Sequence, residues 1–242
     1  MSTSTTTKRS ATDLYQSPDH YLMDELLTEE HRLIRDTARK HVSAHLKPII
    51  EERFEKGEFN HDIIPGLAEI GAFGPMVPVE YGGMGLDQIS YGLIMQEIER
   101  CDSGLRSLCS VQGSLVMYPI WKYGSEEQKK KWLPQLAAGT KIGCFGLTEP
   151  DHGSNPGGMV TTFVDKGDHY LLNGAKMWIS NSPLADIAVV WAKAENTEGR
   201  IHGLIVERGM EGFTTPTTHG KLSLRASPTG ELVFDNVKVP KA

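Results

Sequence analysis

Several things are missing from this sequence, and each absence excludes a class of protein. No apolar run reaches the roughly 18 residues a membrane-spanning helix needs, so no such helix and no membrane insertion are expected. Cysteine is scarce: Cys101, Cys109 and Cys144 are the full set, none forms a C-x-x-C pair, and an odd number suits a reducing compartment. They read as buried, inert thiols, and no metal site is expected. A P-loop lysine motif is absent. His41 and His45 have the i, i+4 spacing of metal ligands, but Val42 stands where H-E-x-x-H needs a Glu, so the pair reads as a solvated helix face. The G-x-S-x-G elbow is absent too, because His152 occupies the place of its first Gly before Ser154. The dinucleotide fingerprint reaches only "GGMG" at Gly82–Gly85, which reads as a tight turn. Positive charge is in the minority, with 25 Lys and Arg against 31 Asp and Glu, which argues against a nucleic-acid partner. The start, "MSTSTTTKRSATD", has no apolar core and so is no secretory signal. It is Ser/Thr-rich like a transit peptide, yet carries one Arg and no amphipathic helix. Residues 1–20 read as a disordered polar tail.

What is present divides in two. The 242 residues allow one or two domains at ~100–200 residues each, and 39% hydrophobic with 23% charged residues fits a globular chain. Residues 21–141 read as a helical domain. Thr28 is an N-cap candidate before "EEHRLIRDTARKHVSAHL", whose apolar residues Leu33, Ile34, Ala38, Val42 and Leu46 recur at helical spacing. "HDIIPGLAEIGAFG" is a short helix stopped by Gly71 and Gly74. "QISYGLIMQEIER" and "SGLRSLCSVQGSLVMYPIWKYG" are further helices, and Ser125 with Gln128 makes a capping box for "SEEQKKKWLPQLAAGT". Residues 142–242 read as a β domain. "IGCFGLT", "VTTFV", "HYLLNG", "AKMWISN", "DIAVVWAKA", "IHGLIVE" and "ELVFDNVKV" are short, β-rich segments between turns, with a hairpin around Gly167. No helix separates the strands, so the sheet is expected to be antiparallel.

The stretch "FGLTEPDHGSNPGG", residues 145–158, carries the chemistry. An apolar strand delivers Thr148 at its end. The following loop offers backbone N–H groups at Gly153 and Ser154 and the Ser154 hydroxyl, a pattern that suits an anion such as a pyrophosphate. Further on, "KMWISN" places Trp178 and Ser180 on one face of a strand by the period of two. A flat ring beside a small hydroxyl suits an aromatic cofactor; a core Trp beside a strand-end Ser has the same pattern. On the helix from Ser103, the residues Ser103, Arg106, Ser107, Ser110 and Ser114 fall on one face, small polar groups around one cation.

"FGLTEPDHGSNPGGM" and "LNGAKMWISNSPLADIAVVWAKA" resemble the flavin-binding middle domain of the acyl-CoA dehydrogenase family. "VPVEYGGMGLD", "YGSEEQKKKWLPQLAAGTKIGCF" and "LVFDNVKVP" resemble it as well, from about residue 25 onward. "CDSGLRSLCSVQGSLVMYPI" and "KLSLRASPTG" are most similar to its glutaryl-CoA dehydrogenase branch. The resemblance implies an N-terminal helical domain, a middle β domain of two packed sheets, a C-terminal helical bundle, one FAD per subunit and a homotetramer. It implies that Phe145, Gly146, Leu147 and Thr148 lie along the isoalloxazine, with Gly153 and Ser154 near the pyrophosphate. It places Trp178, Ile179 and Ser180 at the flavin ring, and Ser154, Arg106, Ser107 and Ser110 at the acyl-CoA. The implied reaction removes a proton α to the thioester and passes a hydride from the β carbon to the flavin. In the glutaryl branch, CO₂ is then lost to give crotonyl-CoA, within lysine and tryptophan degradation, with electron-transferring flavoprotein as acceptor. The compartment implied is the bacterial cytoplasm, or the mitochondrial matrix in a eukaryote. The chain stops at Ala242, so the family's bundle and its catalytic Glu are expected beyond it. No residue up to Ala242 is therefore assigned as catalytic, and this portion alone is expected to be inactive. Another chain-length preference, or a non-catalytic flavin- or acyl-CoA-binding remnant, are the alternatives.

Overall fold

The computed structural model describes residues 19–195 and 199–241; residues 1–18 of the polar tail lie outside them. Helix α1 (Glu29–His41) starts where Thr28 accepts from His31 N, and the His31 ring closes the box by accepting from Thr28 N. The same ring meets Asp87 at 2.9 Å. Asp87 in turn caps α4 (Gln88–Glu99) through Ser90 N, so two helix starts are tied together. A π-helical turn, Val42–Leu46, leads into α2 (Lys47–Lys56), where Pro48 is tolerated in the first turn. Then come α3 (Ile64–Glu69), α5 (Ser103–Ser110), a second π-helical stretch Val111–Met117, and α6 (Tyr118–Tyr123). Helix α7 (Glu126–Ala137) carries the Ser125–Gln128 box read from the sequence. Ala38, Leu46, Leu67, Phe73, Ile94, Ile98 and Leu108 form the core between these helices.

His41 does not lie on a solvated face as expected. Its ring packs on Gly66 of α3, where a Cβ would fall 2.6 Å from Cε1, and its Nε2 is buried without a partner. Burial, then the neighbouring His45, lowers its pKa.

The second half forms seven strands: β1 (Gly143–Gly146), β2 (Thr162–Asp165), β3 (His169–Ser180), β4 (Ile187–Ala194), β5 (Ile201–Glu207), β6 (Phe213–Thr214) and β7 (Thr229–Pro240). They run β1-β4-β2-β3-β7-β6, with β5 added on β4. The helical-then-β order matches the sequence reading, but the sheet is mixed, and it branches at β4, which bonds β1, β2 and β5. Pairs β1–β4 and β2–β4 are parallel, and the others are antiparallel. A parallel pair needs a long crossover; the β2–β3 hairpin supplies it for β1–β4, and β3 alone for β2–β4, where a helix usually would. The sheet curls so that Ala188, Val190 and Leu204 of β4 and β5 face Leu172, Ile179, Leu232 and Phe234 of β3 and β7. "HYLLNG" and "AKMWISN" join as one strand, and Gly174 between them (φ 138) leaves room for Thr161.

The two halves meet along a sealed seam. Ile187 and Val189 on the outer face of β4 pack with Val111, Val116, Met117, Trp132 and Leu133. Gln112, fully buried, donates to Leu136 O (2.9 Å) and Lys141 O (2.8 Å) and accepts from Gly143 N (2.8 Å). Asn181 Nδ2 donates to Gly143 O at 3.3 Å from the far end of β3.

Candidate flavin site

Strand β1 sorts its side chains by alternation. Cys144 enters the β core, while Phe145 faces the helical half and meets the Trp191 ring edge-on at 6.1 Å. Gly146 lies against Leu232, Lys176 and Val190, where a Cβ would fall 2.8 Å from Leu232 Cδ1. Leu147 and Thr148 are half-buried at the strand's end. The Thr148 carbonyl accepts from Met177 N at 2.9 Å, which sets the end of β1 beside the middle of β3.

At that point β3 bulges. Its register against β7 shifts between Lys176 and Ile179, and Trp178 takes φ 62, a left-handed conformation that a bulky residue rarely adopts. Trp178 is 62% exposed, whereas Ile179 is buried in the β core. Trp178 and half-exposed Ser180 flank an inward Ile179, while inward Lys176 lies three residues before it, so the bulge breaks the period of two at Trp178. The bulge, which sequence alternation does not reveal, is what sets the ring in solvent. Ile179 offers the solvent side only its backbone.

The loop after Thr148 begins with a tight turn in which Glu149 and His152 exchange N–H···O bonds of 3.2 Å each. The His152 ring covers Gly158, where a Cβ would fall 2.6 Å from Nδ1. Gly153 and Ser154 stand exposed between this turn and the helical turn Pro156–Gly158. A Cβ on Gly153 would meet nothing within 4 Å. Among the described residues, neither the Gly153 and Ser154 amides nor the Thr148 and Ser180 hydroxyls have a protein partner.

Beneath the loop lies an ion pair that the sequence reading missed. Glu149 Oε1 accepts from Lys176 Nζ (2.8 Å) and Thr161 N (3.0 Å), and Oε2 accepts from Val160 N (2.6 Å). Lys176 Nζ also donates to Leu147 O at 3.1 Å. Both side chains are buried. Burial pushes the Glu149 carboxyl up, but the bonds from Lys176, Thr161 and Val160 outweigh it and hold the pKa at about 2; burial lowers that of Lys176. A signal was available: Leu172 and Lys176 both fall on the inward positions of β3, and an inward lysine needs an anion.

Helix α5 presents Ser103, Arg106, Ser107 and Ser110 as a half-exposed stripe, with Gly104, Leu105, Leu108 and Cys109 buried behind, and half-exposed Ser114 follows in the π-helical stretch. Arg106 is already engaged: its Nε meets Glu99 Oε2 at 2.6 Å and its NH1 meets Ser110 Oγ at 3.2 Å. Glu99 also accepts from Ser103 Oγ at 2.5 Å. The sequence reading missed Glu99, one helix earlier on α4. Asn181 links this helix to the end of β3, its Nδ2 lying 3.5 Å from Leu108 O.

Residues 28–140 match the family model described as acyl-CoA dehydrogenase, N-terminal domain, and residues 144–237 match that for the middle domain. The chain belongs to the acyl-CoA dehydrogenase family. Its relatives include a glutaryl-CoA dehydrogenase of Desulfococcus multivorans, 39% identical over 90% of this chain and 58% of the relative. A short-chain specific acyl-CoA dehydrogenase of Clostridium acetobutylicum is 38% identical, again over 90% of this chain and 58% of the relative. A crystal structure of a glutaryl-CoA dehydrogenase from Mycobacterium smegmatis in complex with FADH2 superposes with a TM-score of 0.87 at 49% identity. It is covered over 56% of its length, by 91% of this chain. The chain thus spans just over half the length of the relatives it matches.

Elsewhere in this acyl-CoA dehydrogenase chain the other reactive groups are quiet. Burial pushes the Cys144 thiol up to about 12 and that of half-buried Cys101 up to about 11, and raises that of buried Cys109 as well. Among the described residues there is no cluster of three metal-ligating side chains, and no helix is long and apolar enough to cross a membrane. A cleft of about 940 Å³ lies between α6 and β4–β5, lined by Tyr123, Trp191, His202 and Lys241, but none of the cofactor- or substrate-site residues read from the sequence lines it.

Proposed function

We propose that the protein is an FAD-dependent acyl-CoA dehydrogenase acting on glutaryl-CoA. The observation that carries the flavin reading is the bond from Met177 N to the Thr148 carbonyl. It brings an unpaired Thr148 hydroxyl beside a bulge that holds an indole in solvent at the cost of a strained φ. The residues fit the cofactor. Phe145, Gly146, Leu147 and Thr148 line its ring, with Gly146 shaping the strand from within. Trp178 packs on the ring, with Ile179 backbone and Ser180 at its edge. Gly153 and Ser154 turn unpaired amides toward the phosphates, and the absence of a Gly153 side chain permits close approach. When bound, FAD would supply the hydride acceptor for oxidation of the thioester at its β carbon. This chain's residues bind and orient; Ser154 also approaches the acyl-CoA. None of these residues serves as the general base.

Arg106 receives the distal carboxylate of the substrate, with Ser107 and Ser110 beside it. Its guanidinium fork matches two carboxylate oxygens, and the small residues of the stripe leave space for an acyl chain. In full-length protein assayed with a dye acceptor, Arg106→Gln lowers kcat/KM for glutaryl-CoA by tenfold or more, the scale of roughly 1.4 kcal/mol, and leaves butyryl-CoA nearly unchanged. Equal losses on both substrates overturn the glutaryl assignment. One observation favours a second reading. Glu99 already neutralises Arg106, so the arginine has a structural role available to it, and the substrate is then an acyl-CoA without a distal carboxylate. The glutaryl reading also carries decarboxylation to crotonyl-CoA, electron-transferring flavoprotein as acceptor and a homotetramer.

A further inference from the structure

Lys176 and Glu149 do nothing in the chemistry above, yet they are a buried charged pair in the β half, and such pairs are costly to desolvate. Their bonds run in an informative pattern. Glu149 stands at the entry of the loop and binds the amides of Val160 and Thr161 at its exit. Lys176 stands on β3 and binds the Leu147 carbonyl just before the entry. Its stem passes beneath β1, and Gly146 makes the passage: a Cβ there would lie 3.3 Å from Lys176 Cγ. The next residue, Met177, bonds Thr148, and the one after is the strained Trp178. One ion pair therefore touches the segment that leads from β1 to Thr148, both ends of the loop that carries Gly153 and Ser154, and the strand that carries Trp178. Charge-assisted bonds to backbone at both loop ends fix a loop more rigidly than its own turns do.

We propose that the Lys176–Glu149 pair is the positioning device of the flavin site: it holds the phosphate loop and the Trp178 bulge in register, so that the site stands formed before the cofactor arrives. The proposal rests on the flavin reading. It assigns the pair no contact with the cofactor and no part in the chemistry. Its consequence is that removing the pair loosens the loop in flavin-free protein and weakens flavin without unfolding the sheet.

The test uses full-length protein in three forms: wild type, Lys176→Met, and the neutral double variant Glu149→Gln/Lys176→Met, which leaves no buried charge unpaired. Amide hydrogen exchange is followed in the flavin-free state for residues 150–161, with β4 and β5 as internal reference. FAD affinity and the circular dichroism of bound flavin are then measured. The expected result is faster exchange in the loop alone, and an FAD Kd raised roughly ten- to a hundredfold in the double variant, with an altered flavin dichroism. Where Lys176→Met fails to fold, the double variant carries the test by itself. Wild-type loop exchange in the double variant, or a wild-type Kd and dichroism despite a loosened loop, overturns the proposal. Exchange that rises equally in β4 and β5 also overturns it, because the pair is then general ballast for the sheet. If wild-type protein binds no FAD, the flavin reading itself fails, whatever the loop exchange shows.

Discussion

An alanine at position 146 places its Cβ 2.8 Å from Leu232 Cδ1, closer than carbon atoms pack, and 3.3 Å from Lys176 Cγ, a tight contact. Neither neighbour is free to move: Leu232 is fully buried, and Lys176 is held by its bonds to Glu149 and Leu147. Overpacking of this kind costs about 1–3 kcal/mol. Gly146→Ala is therefore expected to lower the urea midpoint while leaving the m-value unchanged, as read by equilibrium denaturation. Gly153→Ala provides the contrast. Its Cβ meets no atom within 4 Å, so the substitution leaves stability within about 0.5 kcal/mol. It weakens FAD, because the methyl group stands where the cofactor approaches. Two glycines of one motif thus separate by role: one makes room for the protein, the other for its ligand.

At the scale of elements, the loop between β1 and β2 depends on an ionised Glu149. Its pKa in the folded chain is about 2 against an ordinary 4.5, a depressed value. The stabilisation it contributes is therefore fully present above about pH 4.5 and is lost as pH falls toward 2. Loop amides 150–161 are expected to lose protection across that window before the centre of β4 does, as read by hydrogen exchange at stepped pH. Simultaneous loss in both would show that the carboxylate does not hold the loop separately. The helices of this fold were largely legible in sequence, because caps and periodicity are local: Thr28 and Ser125 sit where the pattern puts them. The strands were legible as strands but not in their pairing. The parallel β1–β4 and β2–β4 contacts depend on how a hairpin crosses over, which no local signal encodes. The site was legible as two separate motifs, whereas the bulge at Trp178 and the pair beneath it arise only when the two motifs meet.

For the whole molecule, the seam between the halves decides whether the helix bearing Arg106 and the strands bearing Thr148 and Trp178 act as one frame. Gln112 is buried and serves three backbone groups at that seam: Leu136 O and Lys141 O on its own side, and Gly143 N across it. Gln112→Ala strands those groups, at roughly 1–3 kcal/mol for a buried group left unpaired, and is expected to separate the unfolding of the two halves in differential scanning calorimetry. A single cooperative transition would show that apolar packing alone couples them. With the frame intact, the central claim is that the end of β1 and the bulge of β3 form one flavin site, with the Trp178 ring against the cofactor. The most direct measurement is titration of full-length protein with FAD, following tryptophan emission in wild type and in Trp178→Phe. Trp121 and Trp132 lie in the seam; Trp191, on the outer face of β4, touches the site only through its edge-on contact with Phe145 and accounts for the quenching that remains without Trp178. The account predicts saturable binding at one FAD per chain, with strong quenching in wild type and most of the quenching lost in Trp178→Phe. Absence of binding, or binding with quenching undiminished in Trp178→Phe, would contradict it.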